Sequence, residues 1–468
     1  MALKNLLPAM LKAVMKGQPR AREDSHYPGW HLAPVTGLLN DPNGFIHFNG
    51  QYHLFYQWNA LACEHKHKCW GHWRSADLLH WEHEPVALLP DEEYDRSGCY
   101  SGSAVDNGEL TLCYTGNVKF EDGSRTAWQC LAVQNGEGGF DKLGPVIPLP
   151  EGYTGHVRDP KVWRHGGYWY MVLGAQDAQL QGKVLLLRAS DLHHWENLGE
   201  IAGSGLGGLG AAGYMWECPD MFTLGASTFL ICCPQGIPRE EKRYLNTHPC
   251  AWLSGTLDYE NVHYSHGAFN ELDAGFEFYA PQTTLTQDGR RLLVGWMGVP
   301  DGEEMRQPTV AFGWIHQMTC IRELTERDGR LYQQPVAELQ ALRLDEQRYR
   351  GPADGAPEMA ARRLELVLTS GGDITLDFAD TLRLSWHQET LCLARRSLEN
   401  GEWLYRHWCG SARKLHILCD HSSVEIFIND GEGVMSSRYF PQHPARLRLS
   451  GSAEVTACYW SLRSCMVE

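Results

Sequence analysis

One unit plan recurs five times along the first two thirds of the sequence, at intervals of about 60 residues. Each unit places a short polar or proline-containing motif before an apolar segment, a tight turn and a second apolar segment. The motifs begin at Asp41, Ser101, Arg158, Glu217 and Tyr279. Each unit has room for about four strands, so the repetition predicts a five-bladed β-propeller. A β-sandwich whose spacing is regular by accident is the alternative.

The sequence patterns divide the chain into four parts. Residues 1–25 are amphipathic and predict a helical segment packed on the propeller, which itself takes residues 26–334. From 335 to 357 the pattern predicts a helix followed by the turn-rich linker GPADGAP. Residues 358–468 alternate apolar and polar positions and predict a β-sandwich. The predicted fold class is therefore all-β, a five-bladed β-propeller followed by a C-terminal β-sandwich.

Composition limits the partners that such a chain can have. Its 468 residues include 57 acidic side chains against 41 of Lys and Arg, for a formal net charge of −16. An acidic surface binds polyanions poorly, which argues against nucleic acid as the main partner. No run of 18 apolar residues occurs, and the N-terminal segment lacks the apolar stretch of a secretion signal. The 15 cysteines follow no disulfide spacing. We therefore expect a cytoplasmic protein with reduced thiols and no membrane partner, and the oligomeric state stays open.

Three of the five motifs place a carboxylate at the same point of the repeat: Asp41, Asp159 and Glu217. The first strand of each propeller blade lines the central channel, so residues at matching positions converge at one end of it. Carboxylates that share a concave, water-poor site shift each other's pKa, so that one stays protonated and another ionised. Glycoside cleavage needs such a pair, an acid for the leaving oxygen and a carboxylate for the anomeric carbon. Each aspartate taken alone also fits a turn-capping role.

The motifs in combination resemble those of the invertase-type β-fructofuranosidases, glycoside hydrolase family 32. The resemblance runs from about His31 to the segment SSVEIF near the C-terminus, and it includes NDPNG, FYQ, WGH, SGS, RDP, ECP and YAPQ. Within the family, the whole chain most resembles the enterobacterial sucrose-6-phosphate hydrolases. The resemblance implies a five-bladed propeller followed by a β-sandwich, in agreement with the repeat count. We expect a sugar as the small-molecule partner, with no cofactor and no metal ion.

The resemblance also implies roles for individual residues. Asp41 resembles the nucleophile, Glu217 the general acid/base, and Asp159 the residue that stabilises the transition state by holding fructose hydroxyls. Arg158 is expected to fix neighbouring carboxylates or to pair with Asp159. The residues expected to contact the substrate are Leu38, Leu39, Asn40, Gln57, Trp70, Tyr100, Ser101 and Arg158.

The implied reaction is hydrolysis of the β-fructofuranosidic bond of sucrose-6-phosphate, and of sucrose, with retained configuration. Three alternatives stay open at this point. One is fructosyl transfer to a sugar through the same covalent intermediate, and another is hydrolysis of sucrose or fructan without phosphate preference. The third is a non-catalytic sugar-binding propeller, which fits less well because a lectin needs no nucleophile and acid.

The segment HKHK at 65–68 is unusually cationic for a chain with this net charge. The family often has Trp-Gly at its start. The segment lies between Gln57 and Trp70, which the resemblance places beside the fructosyl and glucosyl subsites. We predict that Lys66 contacts the 6-phosphate of the glucose unit, with a solvated loop as the alternative. The wider segment CEHKHKC at 63–69 offers zinc-type ligands, but its spacing and its lysines argue against a metal site.

Overall fold

A computed structural model describes residues 5–299, 303–387 and 389–465 of the chain. The chain begins with a helix, α1 (Leu6–Arg22), and nearly all the remaining regular structure is β-strand. The helix buries Leu6 and Met10 in the hydrophobic cluster that includes the first blade of the propeller, and Ala21 packs with Trp314. Within the described residues, no helix has both the length and the apolar character needed to cross a membrane.

Five antiparallel sheets follow one another along the chain. The first contains β1 (Gly37–Phe48), β2 (Gln51–Asn59), β3 (Cys69–Ser75) and β4 (Glu82–Leu88). The second contains β5 (Cys99–Asp106), β6 (Leu110–Lys119), β7 (Arg125–Gln134) and β8 (Phe140–Ile147). The third contains β9 (Tyr153–His165), β10 (Tyr168–Asp177), β11 (Gly182–Ala189) and β12 (Trp195–Gly203).

The last two sheets of the propeller have the same plan. The fourth contains β13 (Met215–Leu224), β14 (Ser227–Gln235), β15 (Ala251–Asp258), β16 (His263–His266) and β17 (Asn270–Glu271). The fifth contains β18 (Tyr279–Leu285), β19 (Arg291–Trp296), β21 (Arg322–Arg327) and β22 (Arg330–Pro335). The short strand β20 (Trp314–Ile315) lies between β19 and β21 in the chain but joins the first sheet.

The five sheets close into a ring around their first strands. Strands β1, β5, β9, β13 and β18 each contact the next in that order, and β18 contacts β1. Strand β20 also pairs in parallel with β1, which places Trp314 opposite Gly37 and joins the two ends of the ring. The prediction of a five-bladed propeller is therefore confirmed, and a sandwich in this part of the chain is excluded.

The remaining strands form a sandwich of two six-stranded sheets. One sheet has the order β23 (Arg343–Pro352), β34 (Glu454–Leu462), β25 (Leu364–Ser370), β30 (Lys414–Asp420), β31 (Ser423–Ile428) and β32 (Gly433–Arg438). The other has the order β24 (Met359–Ala360), β33 (Arg446–Ser450), β26 (Ile374–Phe378), β27 (Leu382–His387), β28 (Thr390–Arg396) and β29 (Trp403–Cys409). Alternation decides which side chains are buried, as in β27, where Leu382, Leu384 and Trp386 face the core.

The segment between propeller and sandwich differs from the prediction of a helix and linker over 335–357. Two short 3₁₀ helices, Ala337–Leu342 and Ala353–Gly355, are present there, and β23 (Arg343–Pro352) lies between them. Strand β23 lies at the edge of its sheet and pairs antiparallel with β34. Most of its side chains are polar and exposed, so its apolar spacing could not distinguish strand from helix. The hydrogen bonds offered by β34 decide its conformation.

A buried ionic network joins the propeller to the sandwich. His31 lies between Asp420 and Glu425, with its two ring nitrogens each 2.9 Å from a carboxylate oxygen. Arg322 of β21 reaches Glu425 at 2.7 Å and Asp273 at 3.2 Å. Burial alone would lower the pKa of His31, but the two carboxylates raise it. Burial likewise opposes ionisation of Asp420 and Glu425, yet their cationic partners hold both pKa values at about 2.

We expect His31→Gln to lower the free energy of unfolding by about 3–5 kcal/mol, because it removes one partner of a buried ionic network. The pKa of His31 is higher in the folded protein than in the unfolded chain. Its stabilisation is therefore complete below the unfolded pKa of about 6.5 and is lost as the pH rises through the folded value. Urea unfolding should show a larger deficit at about pH 6 than at about pH 9. Equal deficits at the two pH values would mean that folding does not raise the pKa of His31.

Candidate active site

Each innermost strand is irregular at the same level of the channel. The pairing register shifts between Leu39 and Pro42 in β1 and between Glu217 and Asp220 in β13, with corresponding shifts in β5, β9 and β18. Three residues at these bulges have positive φ angles: Asp159 at 66°, Cys218 at 48° and Ala280 at 48°. A bulge redirects side chains from the regular alternation of a strand. The motif of each repeat therefore lies on a kinked segment at one end of the channel.

The bulges bring the carboxylates of Asp41, Asp159 and Glu217 into one site. The Ser101 hydroxyl donates a hydrogen bond to Asp41 Oδ2 at 2.6 Å. The backbone N–H of Cys218, the residue after Glu217, donates to Asp159 Oδ2 at 2.9 Å. The Cys218 Sγ lies 3.8 Å from Asp41 Oδ2 and 3.6 Å from Asp159 Oδ2. The convergence expected from the repeat positions is present in the structure.

Glu217 accepts hydrogen bonds from three side chains. Arg158 donates through Nε and Nη2 to Glu217 Oε1, at 3.0 and 2.6 Å. The Gln235 amide donates to Oε2 at 2.7 Å, and the Tyr279 hydroxyl donates to the same oxygen at 2.6 Å. Of the two roles expected for Arg158, the hydrogen bonds show the one in which it holds a neighbouring carboxylate. The Glu217 side chain stays 17% exposed, so a substrate oxygen can approach it.

The protonation pattern differs from the one expected for an acid at Glu217. Burial alone would raise the pKa of Glu217, but the Arg158 guanidinium and the Tyr279 hydroxyl hold it below its ordinary value. Burial raises the pKa of Asp159 to about 7, and the charges of Glu217 and Asp41 add to this effect. The two pKa shifts therefore favour a proton on Asp159 over a proton on Glu217. Glu217 must gain a proton before it can act as an acid.

We expect Arg158→Met to raise the pKa of Glu217, because it removes the cation that stabilises the ionised form. An opposite charge this close shifts a carboxyl pKa by about 1–3 units. The basic limb of the kcat profile, where a general acid loses its proton, should move up by that amount while kcat at the optimum falls. Arg188→Met is the matched control, since the Arg188 guanidinium pairs with Glu196 at 2.8 Å in the third blade, outside the site. A basic limb that stays in place in Arg158→Met would contradict the expectation.

Several residues expected to contact the substrate lie in the core instead. Three of them have no exposed surface: Leu38, Leu39 and Trp70. A side chain without accessible surface offers nothing to a ligand, so their assignment as substrate contacts is corrected. The Trp70 indole donates to the backbone oxygen of Tyr100 at 3.2 Å. The side-chain amide of the buried Gln57 donates to the backbone oxygen of Cys99 at 2.7 Å. Both side chains thus hold the start of β5, which carries Ser101.

The two lysines of the 65–68 segment have different environments. Lys66 is exposed and pairs with Glu64 at 2.9 Å. The buried Lys68 donates to Asn40 Oδ1, and the Asn40 amide in turn donates to Asp41 Oδ1 at 3.0 Å. Burial lowers the pKa of Lys68 to about 8. Lys68 therefore belongs to the surroundings of Asp41, a role that its sequence neighbours did not reveal.

Sequence reasoning also missed Tyr279 and Gln235 as partners of Glu217. A signal for Tyr279 exists, because it opens the fifth repeat motif at the position matching the other four. Gln235 ends β14, in register with Met215 of β13, and no repeat position marks it. Hairpin pairing alone brings its amide to Glu217.

Two family descriptions match the chain. The glycosyl hydrolases family 32 N-terminal domain matches residues 31–335, and the family 32 C-terminal domain matches residues 384–460. The chain belongs to glycosyl hydrolase family 32. It is 64% identical to the sucrose-6-phosphate hydrolase of Salmonella typhimurium, and the similarity covers 100% of both sequences. The family 32 membership inferred from the motifs is therefore confirmed, and the chain is a glycoside hydrolase.

Solved structures of family 32 agree with this assignment. The sucrose-6-phosphate hydrolase of Lactobacillus gasseri superposes with a TM-score of 0.90 at 31% identity, over 97% of each chain. A Bombyx mori family 32 β-fructofuranosidase mutant in complex with sucrose superposes with a TM-score of 0.85 at 31% identity, over 99% of this chain and 98% of that one. The structural likeness thus extends through the propeller and the sandwich of the family 32 chain.

Proposed function

We propose that this family 32 enzyme hydrolyses sucrose-6-phosphate in the cytoplasm, releasing fructose and glucose 6-phosphate. One observation carries the proposal: a basic cavity is lined by Lys68, which donates to Asn40, the hydrogen-bond partner of Asp41. Tyr100 lines this cavity, and the next residue, Ser101, donates to Asp41. The Salmonella typhimurium and Lactobacillus gasseri relatives are sucrose-6-phosphate hydrolases, which supports the same substrate. The free state of all 15 cysteines is compatible with a reducing compartment.

The first half of the proposed reaction makes a covalent fructosyl-enzyme. Ser101 and Asn40 each donate to one oxygen of Asp41, which orients the carboxylate for attack on the anomeric carbon of fructose. Glu217 gives its proton to the glycosidic oxygen, and glucose 6-phosphate leaves. Asp159 holds fructose hydroxyls in the oxocarbenium-like transition state. Sugar that covers the exposed edge of Glu217 removes water from it and so favours the protonated acid.

The second half returns the enzyme to its starting form. Glu217, now ionised, takes a proton from water, and the resulting hydroxide attacks the anomeric carbon as the bond to Asp41 breaks. Two inversions leave the configuration of fructose retained. Arg158, Gln235 and Tyr279 keep Glu217 in place through both halves.

The basic cavity supplies a site for the phosphate of the leaving group. It has a volume of about 260 Å³, and its basic lining consists of His65, Lys66, His67, Lys68, Arg96 and Lys119. Such a concentration of cations is unusual on a chain with a net charge of −16. Lys68 is buried and donates to Asn40. Lys66 and Arg96 form exposed ion pairs with Glu64 and Glu93, which water already screens and phosphate can replace. We therefore assign phosphate contact to Lys66, Arg96 and Lys119. Ammonium and guanidinium groups bind phosphate through charge-assisted hydrogen bonds.

We expect Lys119→Ala and Lys66→Ala each to raise KM for sucrose-6-phosphate by about one to two powers of ten. A hydrogen bond to a charged group contributes about 1.5–3 kcal/mol, which corresponds to that range. KM for sucrose should stay almost unchanged, because sucrose has no phosphate. Lys242→Ala, an exposed lysine of the fourth blade outside this cavity, is the matched control. Kinetics on both sugars check the proposal, and equal effects on KM for the two sugars would contradict the assignment of the phosphate to this cavity.

The phosphate test and the hydrolase test are separable. Product analysis at high substrate concentration measures how much fructose goes to water and how much to another sugar. Free fructose as the main product supports hydrolysis. Oligofructosides as the main product would replace the hydrolase assignment with fructosyl transfer, whatever the phosphate preference.

A further inference from the structure

Three potential metal ligands meet at the edge of the channel. His65 comes from the loop between β2 and β3, whereas Glu304 and His316 come from the connection between β19 and β21. The Nε2 atoms of His65 and His316 lie 2.7 and 2.6 Å from the same oxygen, Glu304 Oε1. One ligand atom from each residue lies within 4.8 Å of the other two. Segments far apart in sequence thus present two imidazoles and a carboxylate to one point.

We propose that His65, Glu304 and His316 bind one divalent transition metal ion such as Zn²⁺. Two imidazole nitrogens and one carboxylate oxygen are a common catalytic Zn²⁺ ligand set, which leaves the fourth tetrahedral position for water. Metal binding replaces the two hydrogen bonds to Glu304 by coordination. Each Nε2 lone pair and the carboxylate turn to the ion, and the single proton of each neutral imidazole moves to Nδ1.

The surroundings of His316 support a ligand role. Its side chain is almost fully buried, and its backbone has a positive φ of 72°. Backbone conformations of this kind in a non-glycine residue concentrate at ligand-binding and catalytic sites. The Trp296 ring packs edge-on against His316, with centroids 5.0 Å apart, and limits its freedom. His65 is 36% exposed and Glu304 10% exposed, so the ion enters from the His65 side.

The proposed site is connected to the nucleophile. The Lys68 ammonium lies 2.9 Å from His65 Nδ1 and also donates to Asn40, which donates to Asp41. In the metal-free arrangement, Nδ1 of His65 accepts this bond and Nε2 carries the proton to Glu304. A metal ion on Nε2 places the proton of a neutral imidazole on Nδ1, which can then no longer accept from Lys68. Occupancy therefore loosens the contacts that orient Asp41 and should reduce activity.

The experiment uses the full chain after treatment with a chelator, with Zn²⁺ alone as the probe. The background carries serine at the four cysteines that are at least partly exposed and would bind Zn²⁺ themselves: Cys63, Cys392, Cys409 and Cys458. Equilibrium dialysis should find one Zn²⁺ per chain in this background at micromolar free metal. Loss of one ligand in His65→Ala or Glu304→Gln should weaken binding by at least about 10- to 100-fold. His67→Ala, a neighbouring histidine outside the cluster, should bind as the background does.

Two results would overturn the proposal. One is the absence of stoichiometric Zn²⁺ binding, and the other is binding that Glu304→Gln and His65→Ala leave unchanged. Activity with and without Zn²⁺ gives a second measurement within each variant. The ratio should fall in the background and stay constant in Glu304→Gln, which keeps the size of the side chain. An equal fall in both would place inhibition at another site and overturn the connection to Asp41.

Discussion

Asp41→Asn is expected to lower kcat by at least about four powers of ten, as removal of a catalytic nucleophile does in other enzymes. The amide is nearly isosteric with the carboxylate but is a poor nucleophile, so the fructosyl-enzyme cannot form. Asp41 is partly exposed at a strand bulge, and its side chain contacts Asn40 and Ser101 by hydrogen bonds. The melting temperature should therefore change little. Initial rates on sucrose-6-phosphate and thermal unfolding of the same preparation check both parts.

The control and the contrary outcome for this variant are distinct. Asp122→Asn changes an exposed aspartate that accepts only from Ser124, so its kinetics should equal those of the wild type. Retained turnover in Asp41→Asn together with fructose of inverted configuration would mean that water attacks directly. In that case Asp41 is not the nucleophile, and the covalent half of the mechanism is wrong.

Glu217→Gln is expected to lower kcat by about 10²–10⁴-fold, the usual contribution of general acid–base catalysis. The amide cannot donate a proton to the glycosidic oxygen or accept one from water. Arg158 can still donate to the amide oxygen. The amide N–H₂ takes the place of Oε2, the oxygen that accepts hydrogen bonds from Tyr279 and Gln235 in the wild type. KM should change less than kcat, because the lost function belongs to the transition state.

A comparison of leaving groups tests the role of Glu217 directly. A fructoside with an acidic aryl alcohol as leaving group needs little protonation, so formation of the fructosyl-enzyme should recover in Glu217→Gln. Breakdown of that intermediate still needs a base, and a burst of aryl alcohol should precede a slow steady state. If Glu217→Gln has a kcat near that of the wild type on sucrose-6-phosphate, Glu217 is not the general acid/base.

Repetition allowed the fold to be predicted. Each unit of about 60 residues contains its own strand and turn signals, which are local and survive in the sequence. Matching positions in such units must converge when the ring closes, which predicted one site for Asp41, Asp159 and Glu217. The structure agrees, with Cys218 in contact with both aspartates. Nothing in this inference required knowledge of how the blades pack.

Other features depended on contacts between blades, which the repeat pattern does not contain. The choice of Glu217 as the partner of Arg158 follows from the neighbouring positions of β9 and β13 in the ring. The opposite pKa shifts of Glu217 and Asp159 depend on that choice, because the guanidinium donates its hydrogen bonds to Glu217, while burial raises the pKa of Asp159. The burial of Trp70 and the inward direction of Lys68 likewise depend on packing against neighbouring segments.

The sequence by itself determined the all-β class, the number of blades and the three carboxylates. Strand alternation, turn residues and repeat positions are local signals that can be recognised without knowledge of the tertiary structure. Tertiary structure alone decided which lysine approaches Asp41, which carboxylate Arg158 stabilises, and that Arg343–Pro352 is an edge strand. The physical reason is that charge pairing, burial and strand edges depend on distances between residues far apart in sequence. Ring closure and the bulges of the inner strands set those distances in the site, and pairing with β34 sets them for Arg343–Pro352.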